Sequence, residues 1–264
     1  YEPRDVRETF AARYGVCRDK AAVLVAMLRL AGFEAYPVLI SVGPLMDADV
    51  PLPYFNHAVV AVRDRSGSFR LMDPTDETTS DLFPSYLGHR SYLVATPEGE
   101  PLRVSPVPTV EDNLMVIRTT AHLSPSGELR GVTHLHFKGI NDQAYRSYFL
   151  QLKAEERRRF FEGVLKRTLP GAILTDFMLE PGDLRVAAAP LTARLEYVVP
   201  DASISGRELV IPPMPAFGSL VGMVNFILGR TGLDERRFPL VTEHRCGVSE
   251  SWTLQLPPEW STPA

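Results

Sequence analysis

The chain has 264 residues, 45% hydrophobic and 23% charged, which suits one or two globular domains with cores of their own. Its 28 Lys and Arg against 32 Asp and Glu leave a net charge of −4, so the balance speaks against nucleic acid and anionic membrane surfaces as partners. Two cysteines exclude a disulfide scaffold, and no apolar run reaches the ~20 residues of a membrane-spanning helix.

The segment opens on Tyr1 in a helical stretch, with neither a starting methionine nor a signal peptide. It reads as a fragment of a longer chain, and localisation is not legible from it. Asp5 and Glu8 form a capping-box variant that predicts a helix through about Tyr14, closed by Gly15. Val6, Phe10 and Tyr14 recur every four residues and are expected on its core face. Gly15 then delivers Val16-Cys17-Arg18-Asp19-Lys20. The run Ala22, Val23, Leu24, Ala26, Met27, Leu28 and Leu30 predicts a helix over 17–31, stopped at Gly32.

Cys17 therefore stands at a helix N-terminus, where unpaired amides and the macrodipole favour an anion by ~0.3–1 kcal/mol. One pKa unit is ~1.36 kcal/mol. The helix alone does not make a reactive thiolate, and a base beside it is required. Asp19, in the first turn, reads as a cap rather than a catalytic group.

Residues 34–41 read as a strand, moved toward an edge by Pro37. The loop 42–54, with Asp47 and Asp49, either lines a groove or is a solvated connector. Residues 58–63 and 68–73 predict a hairpin about Asp64-Arg65-Ser66-Gly67. Hairpin pairing sets the start of one strand beside the end of the other. His57 and Asp73 are thus expected at one end. A thiolate–imidazole pair oriented by a carboxylate is the logic of cysteine acyl transfer, which makes Cys17, His57 and Asp73 the candidate catalytic residues. His89, between Gly88 and Arg90 in a turn, ranks below His57. Asp76 and Glu77 match no metal spacing and read as a solvated loop.

These motifs support a resemblance. Gly15-Val16-Cys17-Arg18-Asp19 before an apolar helix, then His57-Ala58-Val59-Val60, then Asp73-Pro74-Thr75, resembles the transglutaminase-like superfamily over roughly residues 1–95. The resemblance implies an α+β, papain-like core with the cysteine helix packed on an antiparallel sheet. It implies Cys17 as nucleophile, His57 as its base and Asp73 as the orienter. One bacterial group of the superfamily has a β domain before this core and a β-rich domain after it; the present segment would hold the core and the following domain. That group often reads Gly-Asp-Cys-Lys-Asp-Lys-Ala, where this sequence has Val16 and Arg18 in place of the first Asp and the Lys. The upstream aromatic that transglutaminases often use has no clear counterpart, so the Cys17 amide is the one oxyanion donor assigned. By the same analogy an extracytoplasmic location is open.

Pro97, Pro101, Pro106 and Pro108 mark a linker, dividing a transglutaminase-like core (1–105) from a β-rich domain (106–264). Residues 114–123 and 128–137 predict a hairpin about Pro125-Ser126-Gly127. His134 and His136 share a strand face, but His122 falls opposite about Gly131, ~10 Å from His134. The three read as exposed strand histidines rather than a metal site. Residues 141–169 are expected to be helical with a break near Leu152, their aromatics in the core. Arg157, Arg158 and Arg159 follow Glu155 and Glu156 and read as a salt-bridged face. Strands are expected near 173–179, 192–199, 208–211, 239–241 and 250–256, forming a β-sandwich with inserted helices. Residues 219–228 read as a short helix or docking loop, and Cys246 as inert. A Cys17–Cys246 bridge would silence the site and is not favoured.

The expected function is that of a cysteine enzyme acting on peptide or carboxamide bonds through a thioester, hydrolysis being favoured over cross-linking. The alternative is a catalytically silent binding or scaffolding protein. A peptide or protein substrate is the expected partner, with no cofactor, calcium or other metal. Oligomeric state is not legible.

Overall fold

Residues 1–108 and 109–264 form two separate units. The computed structural model describes residues 2–50, 52–202, 216–229, 231–232, 234–242 and 244–258.

In the first unit the Asp5 carboxylate caps α1 (Val6–Ala12), accepting the amides of Arg7 and Glu8 at 2.8 and 3.3 Å. The helix stops early because Arg13 adopts a left-handed conformation, φ 51°. The expected core stripe is therefore corrected. Phe10 and Tyr14 are 65% and 69% exposed, and Thr9 is the buried residue of α1. A two-turn helix cannot carry a stripe from Val6 to Tyr14. Phe10 and Tyr14 instead line an open hollow of about 380 Å³ with Val23, Leu24 and Met27.

The second helix, α2 (Cys17–Leu30), begins at the cysteine itself. Buried Asp19 reaches back to accept the amide of Val16 at 3.1 Å and that of Arg4 at 2.9 Å. The Arg4 amide is the largest cause holding its carboxyl below the usual range. Gly15 permits this approach, since a Cβ there would lie 2.7 Å from that of Asp19.

Strands β1 (Ala35–Ile40), β2 (His57–Arg63), β3 (Phe69–Met72), β4 (Ser91–Val94) and β5 (Arg103–Val104) form a sheet in the order β3-β2-β1-β4-β5. Pro37 was expected to push β1 to an edge; β1 is central. The register explains this. The ladder between β1 and β4 starts at Val38, opposite Val94, so Pro37 lies just past its end. A strand residue directs its N–H and C=O to the same side. The Pro37 carbonyl accepts from Ala95 at 2.9 Å, so its missing N–H falls on that frayed side. Ala21 and Val25 of α2 cover one face, on Ala58, Val60 and Val62. On the other, Leu87 of the 3-10 turn Ser85–Leu87 packs with Val59, Ala61 and Leu71.

The second unit contains β6 (Leu114–Leu123), β7 (Leu129–Phe137), α3 (Ile140–Leu150), α4 (Ala154–Thr168), β8 (Ile173–Glu180), β9 (Thr192–Val199), α5 (Met223–Leu228) and β10 (Gly247–Gln255). The long helix divides where the Glu156 carboxylate accepts the Lys153 amide at 2.7 Å, starting α4 afresh. The strands form one sheet, β10-β6-β7-β9-β8, with β10 parallel to β6 and the other pairs antiparallel. Met115, Ile117, Leu135 and Phe137 bury one face against Phe149, Phe161, Val164 and Leu165.

The expected sandwich is thus replaced, among the described residues, by a single sheet covered by helices. The physical reason is the alternation of β6 and β7. Their second face carries Arg118, Thr120, His122, Arg130, His134 and His136, all exposed, with Val116 and Val132 half-buried among them, too little apolar surface to seat another sheet. His122 faces Arg130 rather than Gly131. The strand expected at 208–211 lies outside the described residues, and 239–241 is not a strand. No helix among the described residues is long and apolar enough to cross a membrane.

Candidate active site

The β2–β3 hairpin positions two of the three candidate residues. Val60 pairs with Met72, so continuing the register sets Asp73 level with Val59. His57 is two positions before Val59, at the very start of β2. Diagonal neighbours of this kind lie within reach of a long side chain. The His57 Nε2 and Asp73 Oδ2 atoms are 2.9 Å apart. The imidazole keeps 15% of its surface exposed, whereas the carboxylate is fully buried.

Cys17 comes from the other structural element, the tip of α2. Its half-buried side chain packs against the face formed by Ala58, Val60 and Val62, and its thiol lies near enough to His57 for the two groups to shift each other's titration. Imidazole has two ring nitrogens. With Nε2 engaged by Asp73, Nδ1 is the one left for the sulfur.

The electrostatics follow from these contacts. Burial pushes the Cys17 thiol up, but the His57 hydrogen bond, the Ala58 amide, the His57 charge and the Arg18 amide together bring it below its ordinary value. Burial pushes the His57 imidazole down, and the Asp73 hydrogen bond and charge, then Cys17, more than reverse this. Asp73 is raised by burial and lowered further by the His57 hydrogen bond and by Thr75. A lowered thiol beside a raised imidazole favours thiolate and imidazolium as a pair. Such a pair supplies a nucleophile and, next to it, a proton for a leaving group.

Two further residues complete the shell around Asp73. Thr75 donates both its amide, at 2.8 Å, and its hydroxyl, at 2.6 Å, to Oδ1. Tyr86 donates its hydroxyl to Oδ2 at 3.2 Å. The Asp-x-Thr spacing is a local Asx-type turn signal, visible in the sequence. Tyr86 has no such signal. The Asp73 amide donates to the Leu82 carbonyl at 2.7 Å, and this closure returns the chain over the carboxylate.

The remaining candidates lie elsewhere. His89 is exposed in a left-handed turn, φ 55°. Lys20 pairs with Glu77 at 3.3 Å. Cys246 is a free thiol pushed up by burial. Among the described residues no three His, Cys, Asp or Glu side chains are grouped to hold a metal ion.

Residues 1–74 match the core model of the transglutaminase-like superfamily. That span, from α1 to the end of the β2–β3 hairpin, is similar to the core of that superfamily, and it contains Cys17, His57 and Asp73. No curated protein matches the chain. Members of this superfamily are typically cysteine enzymes.

Proposed function

We propose that the first unit is a cysteine acyl-transfer centre that hydrolyses peptide or carboxamide bonds. The Cys17 thiolate adds to the carbonyl carbon. The C–N bond breaks as His57 gives its proton to the departing amine, leaving a thioester. Water then loses a proton to His57, attacks the same carbon, and releases a carboxylate and the Cys17 thiol. Asp73 holds the imidazole in the tautomer and orientation these transfers need. The Val16 carbonyl takes the amides of Asp19 and Lys20. The Cys17 amide, at the very start of the helix, is assigned to the carbonyl oxygen as negative charge develops there.

The observation that carries this reading is the chain of contacts from Cys17 through His57 to Asp73, with the 2.9 Å link between the last two. Cys17 and His57 are both partly exposed, so water can reach them as the acceptor.

The test is a peptide-substrate screen with wild type and Cys17→Ala, run with and without a primary amine, and read by mass spectrometry. New carboxyl termini or deamidated side chains, absent with Cys17→Ala, are expected. Amine adducts as the dominant product would replace hydrolysis by cross-linking. An acyl-enzyme that never forms, together with a Cys17 thiol no faster than an ordinary one, would leave a binding protein.

A further inference from the structure

Asp73 is a fully coordinated carboxylate. A carboxylate offers about four lone-pair directions. Two, on Oδ1, are taken by Thr75; on Oδ2 one is taken by His57 and one by Tyr86. Thr75 lies two residues on from Asp73 and makes the shorter contacts, so it fixes the position of the carboxylate. Tyr86 does something different, because it competes with His57 for one oxygen atom.

We propose that Tyr86 is a positioning residue that sets how much of the Asp73 charge reaches His57, and so how readily His57 releases its proton to the leaving group. The proposal rests on the acyl-transfer reading above. Every hydrogen bond donated to Oδ2 draws charge from the carboxylate. With the phenol in place the imidazolium is stabilised less than a two-way His–Asp contact would stabilise it. General acid catalysis is most effective when the acid titrates near the working pH. An imidazolium held too tightly by its carboxylate would keep the proton that the departing amine needs.

The scaffold is suited to this task. Tyr86 is the middle residue of the 3-10 turn Ser85–Leu87, whose Leu87 is fully buried in the sheet core. The Leu87 carbonyl accepts the Ser105 hydroxyl at 2.6 Å, and the Arg90 guanidinium reaches the Tyr86 carbonyl at 3.5 Å. The phenol ring packs against the same cluster as Val59 and Leu71. Burial, followed by the charges of Asp73 and Asp76, pushes its hydroxyl well above the ordinary phenol value, so it stays a donor across the working range. The titratable and charged groups that face this cluster are Cys17 from α2, His57 from β2, Asp73 and Asp76 after β3, and the buried Arg90 just before β4.

The test is the pH profile of Cys17 alkylation by iodoacetate on the full chain, resolved by peptide mass spectrometry with Cys246 as the internal reference thiol. The falling upper limb reports loss of the imidazolium that attracts the reagent. In Tyr86→Phe the limb is expected to move up by about half a pH unit or more, as His57 keeps Asp73 to itself. A 3-fluorotyrosine placed at position 86, a stronger donor with the fold untouched, is expected to move it down. Opposite shifts of this kind are not produced by a structural role alone. If wild-type Cys17 is fast and both variants superimpose on it, Tyr86 has no such role and the acyl-transfer reading stands. A Tyr86→Phe limb that moves down also overturns the proposal. A wild-type Cys17 no faster than Cys246, with no upper limb, overturns the acyl-transfer reading and this proposal together.

Discussion

Replacing Asp73 by Asn changes one atom and tests the whole site. Thr75 presents two donors to Oδ1, at 2.8 and 2.6 Å, so the Asn oxygen is held there and its NH₂ takes the place of Oδ2. That NH₂ points at His57 Nε2, 2.9 Å away in the wild type. A donor facing Nε2 forces the ring proton onto the nitrogen that faces Cys17. The ring then has no lone pair for the thiol proton. The charge is lost as well, and an opposite charge at this range is worth ~1–3 pKa units to its partner. At ~1.36 kcal/mol per unit, the thiolate–imidazolium pair at neutral pH should become roughly 10- to 1000-fold rarer. Alkylation of Cys17 by iodoacetamide at pH 7, with Cys246 as the reference, measures this directly. A Cys17 rate unchanged in Asp73→Asn would refute the reasoning, because the geometry leaves the amide no harmless orientation.

Three further outcomes are expected. Gly15→Ala drives a Cβ to 2.7 Å from the Asp19 Cβ and 3.0 Å from Thr9 Cγ2; overpacking of this kind costs about 1–3 kcal/mol, to be read from urea unfolding of the first unit. In the second unit the fully buried Arg146 is clamped by Asp142 at 2.6 and 3.0 Å and donates to the carbonyls of Leu184, Val186 and Ala189. Asp142→Ala strands that charge and should cost ~3–5 kcal/mol in the same assay, and a loss far smaller would show that the pair is not needed. The His57–Asp73 contact also makes stability depend on pH. The His57 contribution is complete below its ordinary 6.5 and lost as pH rises through the raised folded value, whereas that of Asp73 is present above 3.8 and lost as pH falls through its lowered one. In a Cys17→Ser background, the difference in urea midpoint between His57 and His57→Gln should therefore be largest between about 3.8 and 6.5. A difference that grows above that window would contradict the sign.

Legibility in the sequence tracked the range of the interaction. The Asp5 cap, the start of α2 at Cys17, the turn at Asp64–Gly67 and the hairpin closing at Gly127 are settled by neighbours a few residues apart, and all are visible as spacing and residue type. The hairpin also relates His57 to Asp73, since pairing follows from the turn. Phe10 and Tyr14 mislead because periodicity shows which residues share a face but not where the helix stops.

What the amino-acid order determined by itself is a helix headed by Cys17 and a ribbon that carries His57 to Asp73, because local sterics and turn chemistry suffice for both. Only the tertiary structure decided that β1 is central, that β10 runs parallel beside β6, that one face of the second sheet stays open, and that Tyr86 returns over Asp73. Those outcomes depend on which distant surfaces bury one another, and on which carbonyl ends a ladder, as at Pro37. No window of neighbouring residues contains that information.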